Sequence, residues 1–297
     1  MTDSAQATTI STPAGRPAAP ALMEFSEANH LTEVLGRLEA TKDPRLKQVM
    51  SALTRHLFAF LEEIKPTEEE WMQCIQFLTE TGKMCDDVRQ EFILLSDVLG
   101  VSMLVDGINH RREANSTESS VLGPFYRAGA PHYPMGATIA NDTPGEPVHV
   151  SGRVTTTDGK PIAGALLDAW QTAPNGLYEV QDPDQPEYNL RGIFTTGSDG
   201  AYNFKTVKPV SYPIPDDGPV GKLLRAMGRH PWRPAHIHFI VSAPGYQPIV
   251  TQIFTDDDKY LTSDAVFGVK SSLLVHYNNG GPGLTCEYDF TLKPAKS

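Results

Sequence analysis

His236 and His238 stand one residue apart in the run Ala235-His236-Ile237-His238-Phe239-Ile240-Val241. Its apolar, β-branched character favours a strand, and side chains at i and i+2 of a strand leave the same face. Two imidazoles therefore point into one space, and imidazole is the commonest protein ligand for transition metals. The pair is equally compatible with two core histidines satisfied by backbone groups, so further ligands are needed before a metal is implied. No cysteine pair has zinc-motif spacing: Cys74 and Cys85 fall in a helical pattern, and Cys286 is alone near the C-terminus.

Two tyrosines occupy unusual settings. Tyr178 closes the turn-like Ala173-Pro174-Asn175-Gly176-Leu177 after the strand-like Ala165 to Trp170. Tyr212 lies in Pro209-Val210-Ser211-Tyr212-Pro213-Ile214-Pro215, where the prolines withhold donors and favour extended backbone. Each tyrosine alone reads as a packing residue with a satisfied hydroxyl. Two phenolates with two neutral imidazoles, however, form a hard-oxygen and nitrogen set that suits ferric iron better than zinc. A phenol with a reference pKa of about 10 loses its proton only to a strong Lewis acid, which Fe(III) is.

The sequence resembles the intradiol ring-cleavage dioxygenases, non-haem Fe(III) enzymes that open catechols between two adjacent hydroxyls. The resemblance rests on Gly123-Pro124-Phe125-Tyr126 with Ala128-Gly129-Ala130-Pro131, on Asp168-Ala169-Trp170-Gln171 leading to Gly176-Leu177-Tyr178, on Tyr212-Pro213-Ile214-Pro215, and on Arg233-Pro234-Ala235-His236-Ile237-His238. It extends from about Phe25 to Leu292. Within the family, Glu91 to Gly100 and Ser120 to Phe125 look most like the members acting on hydroxyquinol, with catechol or chlorocatechol as the alternative substrates.

The resemblance implies one Fe(III) per subunit held by Tyr178, Tyr212, His236 and His238, with Tyr212 the ligand that leaves when the diol arrives. It implies O2 as co-substrate and no external reductant. Arg233 offers a fixed cationic fork that stabilises negative charge on the reacting ring, and Gln252 an amide that orients a ligand or the substrate. Leu94 and Asp97, one helical turn apart, share a face; the resemblance implies that this helix lies beside the pocket, where one would supply an apolar wall and the other would accept a hydrogen bond from a third ring hydroxyl. Val121, Leu122, Gly123, Pro124, Phe125 and Tyr126 are expected to form a second wall, with Val266 opposite.

The elements that must position these residues divide the chain by texture. Asp43-Pro44 is an N-cap and N1 pair before apolar residues at helical spacing from Leu46 to Ile64, ending near Pro66. Thr67 to Glu70 offers a capping box for a second helix, and a third is expected from about Asp86 to Asn109. After about Asn115, Gly and Pro punctuate short β-branched stretches, with Asp158-Gly159 and Asp199-Gly200 as turn signals. We therefore expect a mostly β protein with an α-helical N-terminal module: a disordered tail over 1–23, a helical domain over 24–115 and an antiparallel β-sandwich over 116–297, which the resemblance implies to be a dimerisation and linker domain and the catalytic Fe(III) domain. The resemblance adds a homodimer formed through the helical domain and permits a phospholipid in the tunnel where two such domains meet.

Composition narrows the partners. The 25 basic against 36 acidic side chains give a charge of −11, which disfavours a general nucleic-acid binder. No run of ~20 apolar residues suggests membrane insertion. Three scattered cysteines suit a reducing cytoplasm, and residues 1–23 lack the charged start and apolar core of a secretory signal. Two other readings share the histidines: a zinc hydrolase, which has no use for the two tyrosines as anionic ligands, and a non-catalytic β-sandwich binding or lipid-carrier protein.

Overall fold

The computed structural model describes residues 26–86, 89–111 and 115–295, so the expected tail over 1–23 lies outside the described residues. The helical part comprises α1 (His30–Leu38), α2 (Pro44–Ile64), α3 (Glu68–Lys83), α4 (Glu91–Val98) and α5 (Val101–Asn109). Asp43 caps α2 by accepting from Arg45 N at 2.8 Å and Leu46 N at 3.1 Å, with Pro44 at the first helical position. Lys65 ends it in the left-handed region ahead of Pro66. Thr67 and Glu70 form the reciprocal capping box: Thr67 N donates to Glu70 Oε2 at 2.8 Å and Glu70 N to Thr67 Oγ1 at 3.2 Å.

The single third helix expected from Asp86 to Asn109 is instead two. Gly100, at φ 75°, turns the chain left-handed between α4 and α5, a conformation open to glycine and costly elsewhere. By compactness the chain divides at Gln73/Cys74, within α3. No residue of α1 or α2 is buried, and Leu46, Val49, Leu53, Leu57 and Phe60 lie exposed along α2.

The β-rich part follows as β1 (Pro147–Thr156), β2 (Leu166–Trp170), β3 (Arg191–Thr195), β4 (Ala201–Val207), β5 (Tyr212–Pro213), α6 (Pro219–Ala226), β6 (Trp232–Arg233), β7 (His236–Ser242), β8 (Ile249–Thr255), β9 (Leu274–Val275), β10 (Asn278–Asn279), β11 (Leu284–Glu287) and β12 (Phe290–Leu292). One five-stranded sheet runs β10-β11-β1-β12 with β4 also on β1; the other runs β3-β2-β7-β8-β9; β5 and β6 form a separate ribbon. The pairs β1–β4, β2–β3, β2–β7 and β7–β8 are antiparallel as expected. In contrast, β1 runs parallel to both β11 and β12, and β8 to β9, so the sheets are mixed. Parallel partners need long connections, and these are joined by long stretches of chain that short-range turn signals cannot reveal.

Strand alternation sorts the residues of both sheets. Val148, Val150, Val154 and Phe204 from the first sheet and Leu167, Ala169, Phe194, Ile237, Phe239, Val241 and Ile253 from the second share one buried apolar cluster. The intervening residues on β2, β7 and β8 (Asp168, Trp170, His236, His238, Gln252 and Phe254) therefore occupy the opposite face of the second sheet. Core packing on one face thus presents both histidines on the other.

Candidate metal centre

His238 sits mid-sheet, paired in register with Trp170 on β2 and Gln252 on β8. Its ring stacks on the Trp170 indole, centroids 4.6 Å apart and planes 9° from parallel. The β5–β6 ribbon places Tyr212 opposite Arg233, and a turn at Ala173–Gly176 delivers Tyr178 from the end of β2. The four side chains singled out in the sequence converge. His236 Nε2 lies 3.0 Å from His238 Nε2, which lies 3.1 Å from Tyr178 OH, which in turn lies 3.1 Å from Tyr212 OH. All four are buried.

This cluster fits an iron ion. Donor atoms that share one ion at ~2 Å are about 3 Å from one another, the spacing found here. His236 Nδ1 donates to Pro234 O at 2.7 Å, which leaves the lone pair of the neutral ring on Nε2, the nitrogen facing the other donors. Burial, then the nearby Arg233 charge, push the pKa of His236 down to about 3, so it is neutral at physiological pH. Burial, then His236, depress that of His238. Burial, then Tyr212, hold Tyr178 protonated in the absence of a cation, so ligation by its phenolate needs a strongly charged metal. Among the described residues no group of three or more His, Cys, Asp or Glu side chains has metal-binding geometry, so a site of that make-up is not offered elsewhere.

Arg233 is buried beside the cluster, Nη1 3.3 Å from His236 Nε2. Its Nε donates to Asp264 Oδ1 at 3.1 Å, and its Nη2 donates to Gln252 Oε1 at 2.7 Å and Asp264 Oδ2 at 3.3 Å. Burial opposes the guanidinium charge but Asp264 more than restores it, raising the pKa. Burial likewise opposes the Asp264 carboxylate, and Arg233 overcomes this and lowers its pKa. Gln252, which accepts from Arg233 through Oε1, donates Nε2 to Val121 O at 2.6 Å. One amide thus ties Arg233 to the segment over the histidines.

That segment passes close above His238. A Cβ on Gly123, at φ 76°, would stand 3.3 Å from His238 Cε1, so a side chain there meets both a strained backbone and an imidazole. Phe125 stacks on Tyr178 with centroids 4.9 Å apart, and Tyr126 donates to Asp168 Oδ2 at 3.1 Å. Leu122 and Pro124 are exposed. Leu94, Val121 and Val266 meet in a second buried apolar cluster with Val98, Ile214, Val220, Leu224 and Ala265. Asp97 is buried on the same helix; burial raises its pKa, Ser102 lowers it by hydrogen bonding, and the Arg233 charge reaches it. Leu94, Val121 and Val266, from three separate parts of the sequence, are therefore neighbours, whereas Leu122 and Pro124 stand outside that cluster.

Three participants were not foreseen from the sequence. Asp264 holds the Arg233 fork, yet Thr262-Ser263-Asp264 reads locally as a turn. Trp170 appeared only as part of a motif, without its stacking role. Arg191, also buried, donates to Glu179 Oε2 at 2.6 Å and to Phe125 O at 2.7 Å, bracing the segment around Tyr178.

A family model described as dioxygenase matches residues 121–294, and one described as catechol dioxygenase N terminus matches residues 43–117. The hydroxyquinol 1,2-dioxygenase of Rhizobium sp. (strain MTP-10005) is 57% identical over 254 residues, covering 85% of this chain and 86% of that protein. The 6-chlorohydroxyquinol 1,2-dioxygenase of Cupriavidus pinatubonensis is 50% identical, with 92% and 99% covered. The crystal structure of hydroxyquinol 1,2-dioxygenase from Pseudomonas putida DLL-E4 superposes with a TM-score of 0.87 at 49% identity, covering 91% of this chain and 99% of that one.

Proposed function

The chain belongs to the intradiol ring-cleavage dioxygenases, and from that premise we propose that it opens hydroxyquinol (benzene-1,2,4-triol) between its adjacent hydroxyls with O2, giving 3-hydroxy-cis,cis-muconate, the tautomer of maleylacetate. Asp97 carries the choice of ring among catechols. Burial raises the pKa of Asp97 and makes its charged form costly, and a third ring hydroxyl at its edge would supply a hydrogen bond that offsets part of that cost. Catechol and chlorocatechols, which lack that hydroxyl, give Asp97 no hydrogen bond beyond the one from Ser102. The donor set, with two phenols and no acidic or cysteine ligand, argues against the zinc hydrolase reading.

Tyr178, Tyr212, His236 and His238 would hold one Fe(III) per subunit, which when bound supplies Lewis acidity toward the diolate and the electron relay that lets the ring react with O2. Tyr212 Oη, a phenolate when it serves as a ligand, would accept one of the two hydroxyl protons the diol gives up, and the other would pass to solvent. Arg233, its fork set by Asp264 and Gln252, turns Nη1 toward the donor cluster and stabilises negative charge developing on the ring. Gln252 keeps that fork and the Val121 carbonyl in register. Phe125 and Trp170 keep water from the ligands, while Leu94, Val121 and Val266 hold the ring's apolar edge.

The reading extends to the rest of the chain. Residues 24–115 serve as a helical dimerisation and linker domain and 116–297 as the catalytic β-sandwich, supported by the apolar cluster shared between the two sheets. The exposed Leu53, Leu57 and Phe60 on α2 suit a homodimer contact and leave room for a phospholipid tail. None of the described helices is long and apolar enough to cross a membrane, and Cys74, Cys85 and Cys286 are free thiols, which suits a cytoplasmic enzyme. Oxygen uptake measured in parallel on hydroxyquinol, catechol, 4-methylcatechol and chlorocatechols tests the proposal. The highest kcat/KM is expected for hydroxyquinol; a higher value for catechol would overturn the substrate, and no uptake with any diol after iron reconstitution would overturn the activity.

A further inference from the structure

Arg229 takes no part in the chemistry above, yet it joins two walls of the ring pocket. It lies between α6 and β6, on the excursion of chain that leaves Tyr212 and returns at Arg233. Its Nη1 donates to Val98 O, in the last turn of α4, and its Nη2 to Ala265 O at 2.8 Å. The guanidinium carbon lies 4.8 Å from the centroid of the Phe267 ring. Val98 O belongs to the helix end where carbonyls lack intrahelical donors and a cation is favoured.

The two carbonyls belong to the segments that matter for ring selection. α4 carries Leu94 and Asp97; the 264–268 turn carries Asp264, which holds Arg233, and Val266, which packs with Leu94. Asp264 accepts from Val266 N at 3.3 Å and Gly268 N at 2.9 Å, so this turn is organised around the same carboxylate. Phe267 adopts φ 60°, rare for an aromatic residue, and a Cβ on Gly100 would stand 3.4 Å from its ring. The left-handed residue ending α4 and the left-handed residue in the turn therefore meet, and Arg229 covers the junction.

We infer that Arg229 is a specificity-positioning residue: by bonding the Val98 and Ala265 carbonyls with two arms of one rigid guanidinium, it sets the gap between α4 and the 264–268 turn, and so the distance of Asp97 from the ring. The inference rests on the reading that Asp97 meets the third hydroxyl. A lysine cannot reproduce it, because one ammonium lacks the planar fork that spans both carbonyls. The metal ligands are untouched by this contact, so the residue acts on ring choice and not on iron.

The test compares kcat/KM for hydroxyquinol and catechol in the iron-loaded full-length enzyme and in Arg229→Gln, alone and combined with Asp97→Ala. The hydroxyquinol-to-catechol ratio is expected to fall roughly tenfold in Arg229→Gln, through KM for hydroxyquinol, with iron content and visible spectrum unchanged. On the Asp97→Ala background the same substitution leaves the ratio where Asp97→Ala put it. Equal losses on both substrates, or a shift of the ratio that is the same with and without Asp97, would overturn the inference. Should Arg229→Gln not accumulate as folded protein, Arg229→Lys is read by the same ratio and the same criteria. Preference of the unaltered enzyme for catechol would overturn the substrate assignment alone, since the positioning role is judged by whether the ratio moves on substitution.

Discussion

Arg233 and Asp264 form a buried ion pair beside the two histidines, Nε to Oδ1 at 3.1 Å and Nη2 to Oδ2 at 3.3 Å. A guanidinium beside four potential ligands would otherwise be free to swing, and Asp264 with Gln252 leaves it one orientation. Removing the acid strands a buried charge. Asp264→Ala is expected to destabilise the fold by about 3–5 kcal/mol in urea titrations and to lower kcat on any diol, whereas a surface pair such as Lys160–Asp158 should be nearly silent when broken.

Asp97 supplies a pH prediction. Its folded pKa is raised by burial, so its protonated form is the one the fold favours. That contribution to stability is present below the unfolded value of 3.8 and lost as pH rises through the raised value, which makes the charged carboxylate a cost at pH 7. Asp97→Asn should therefore raise the melting temperature at pH 7, with the gain vanishing at low pH, while reducing kcat/KM for hydroxyquinol more than for catechol. A variant that melts lower at pH 7 would contradict the assignment of cost.

Gln252 joins Arg233 to the Val121 carbonyl, and its loss removes one acceptor from the Arg233 fork, which keeps Asp264, and the side-chain donor from Val121 O. Gln252→Leu is expected to cost about 1–3 kcal/mol of stability and to lower kcat by more than it changes KM, measured by steady-state oxygen uptake.

The helical module yields a hydrodynamic prediction. Leu57 and Phe60 on α2 are both exposed, 47% and 53% accessible, on a helix with no buried residue. On the proposed homodimer contact through α2, Leu57→Glu with Phe60→Glu should give a monomer in sedimentation where the unaltered chain sediments as a dimer, with the same iron content in both. An unchanged dimer would move the interface elsewhere.

How much of this was legible depended on range. The Asp43 cap, the Thr67–Glu70 box and the alternation that turns His236 and His238 away from Ile237 and Phe239 are local, and each stands in the structure where the sequence pattern put it. Asp264 lies 31 residues from Arg233, and no local pattern distinguishes it from an ordinary turn acid. The stacking of Trp170 on His238 and the parallel pairing of β1 with β11 and β12 likewise depend on strand neighbours distant in sequence. Gly100 was visible as a residue but not as a break, because a glycine inside an apolar helical pattern is often tolerated.

The central claim is that Tyr178 and Tyr212 act with His236 and His238 as one iron site. The visible spectrum of the purified protein, read with its iron content, tests it most directly. The account predicts about one iron per chain and a broad tyrosinate-to-Fe(III) band that changes in Tyr212→Phe and in Tyr178→Phe, each variant losing ring cleavage. A colourless protein that takes up no iron on reconstitution, or a band indifferent to both substitutions, would contradict it.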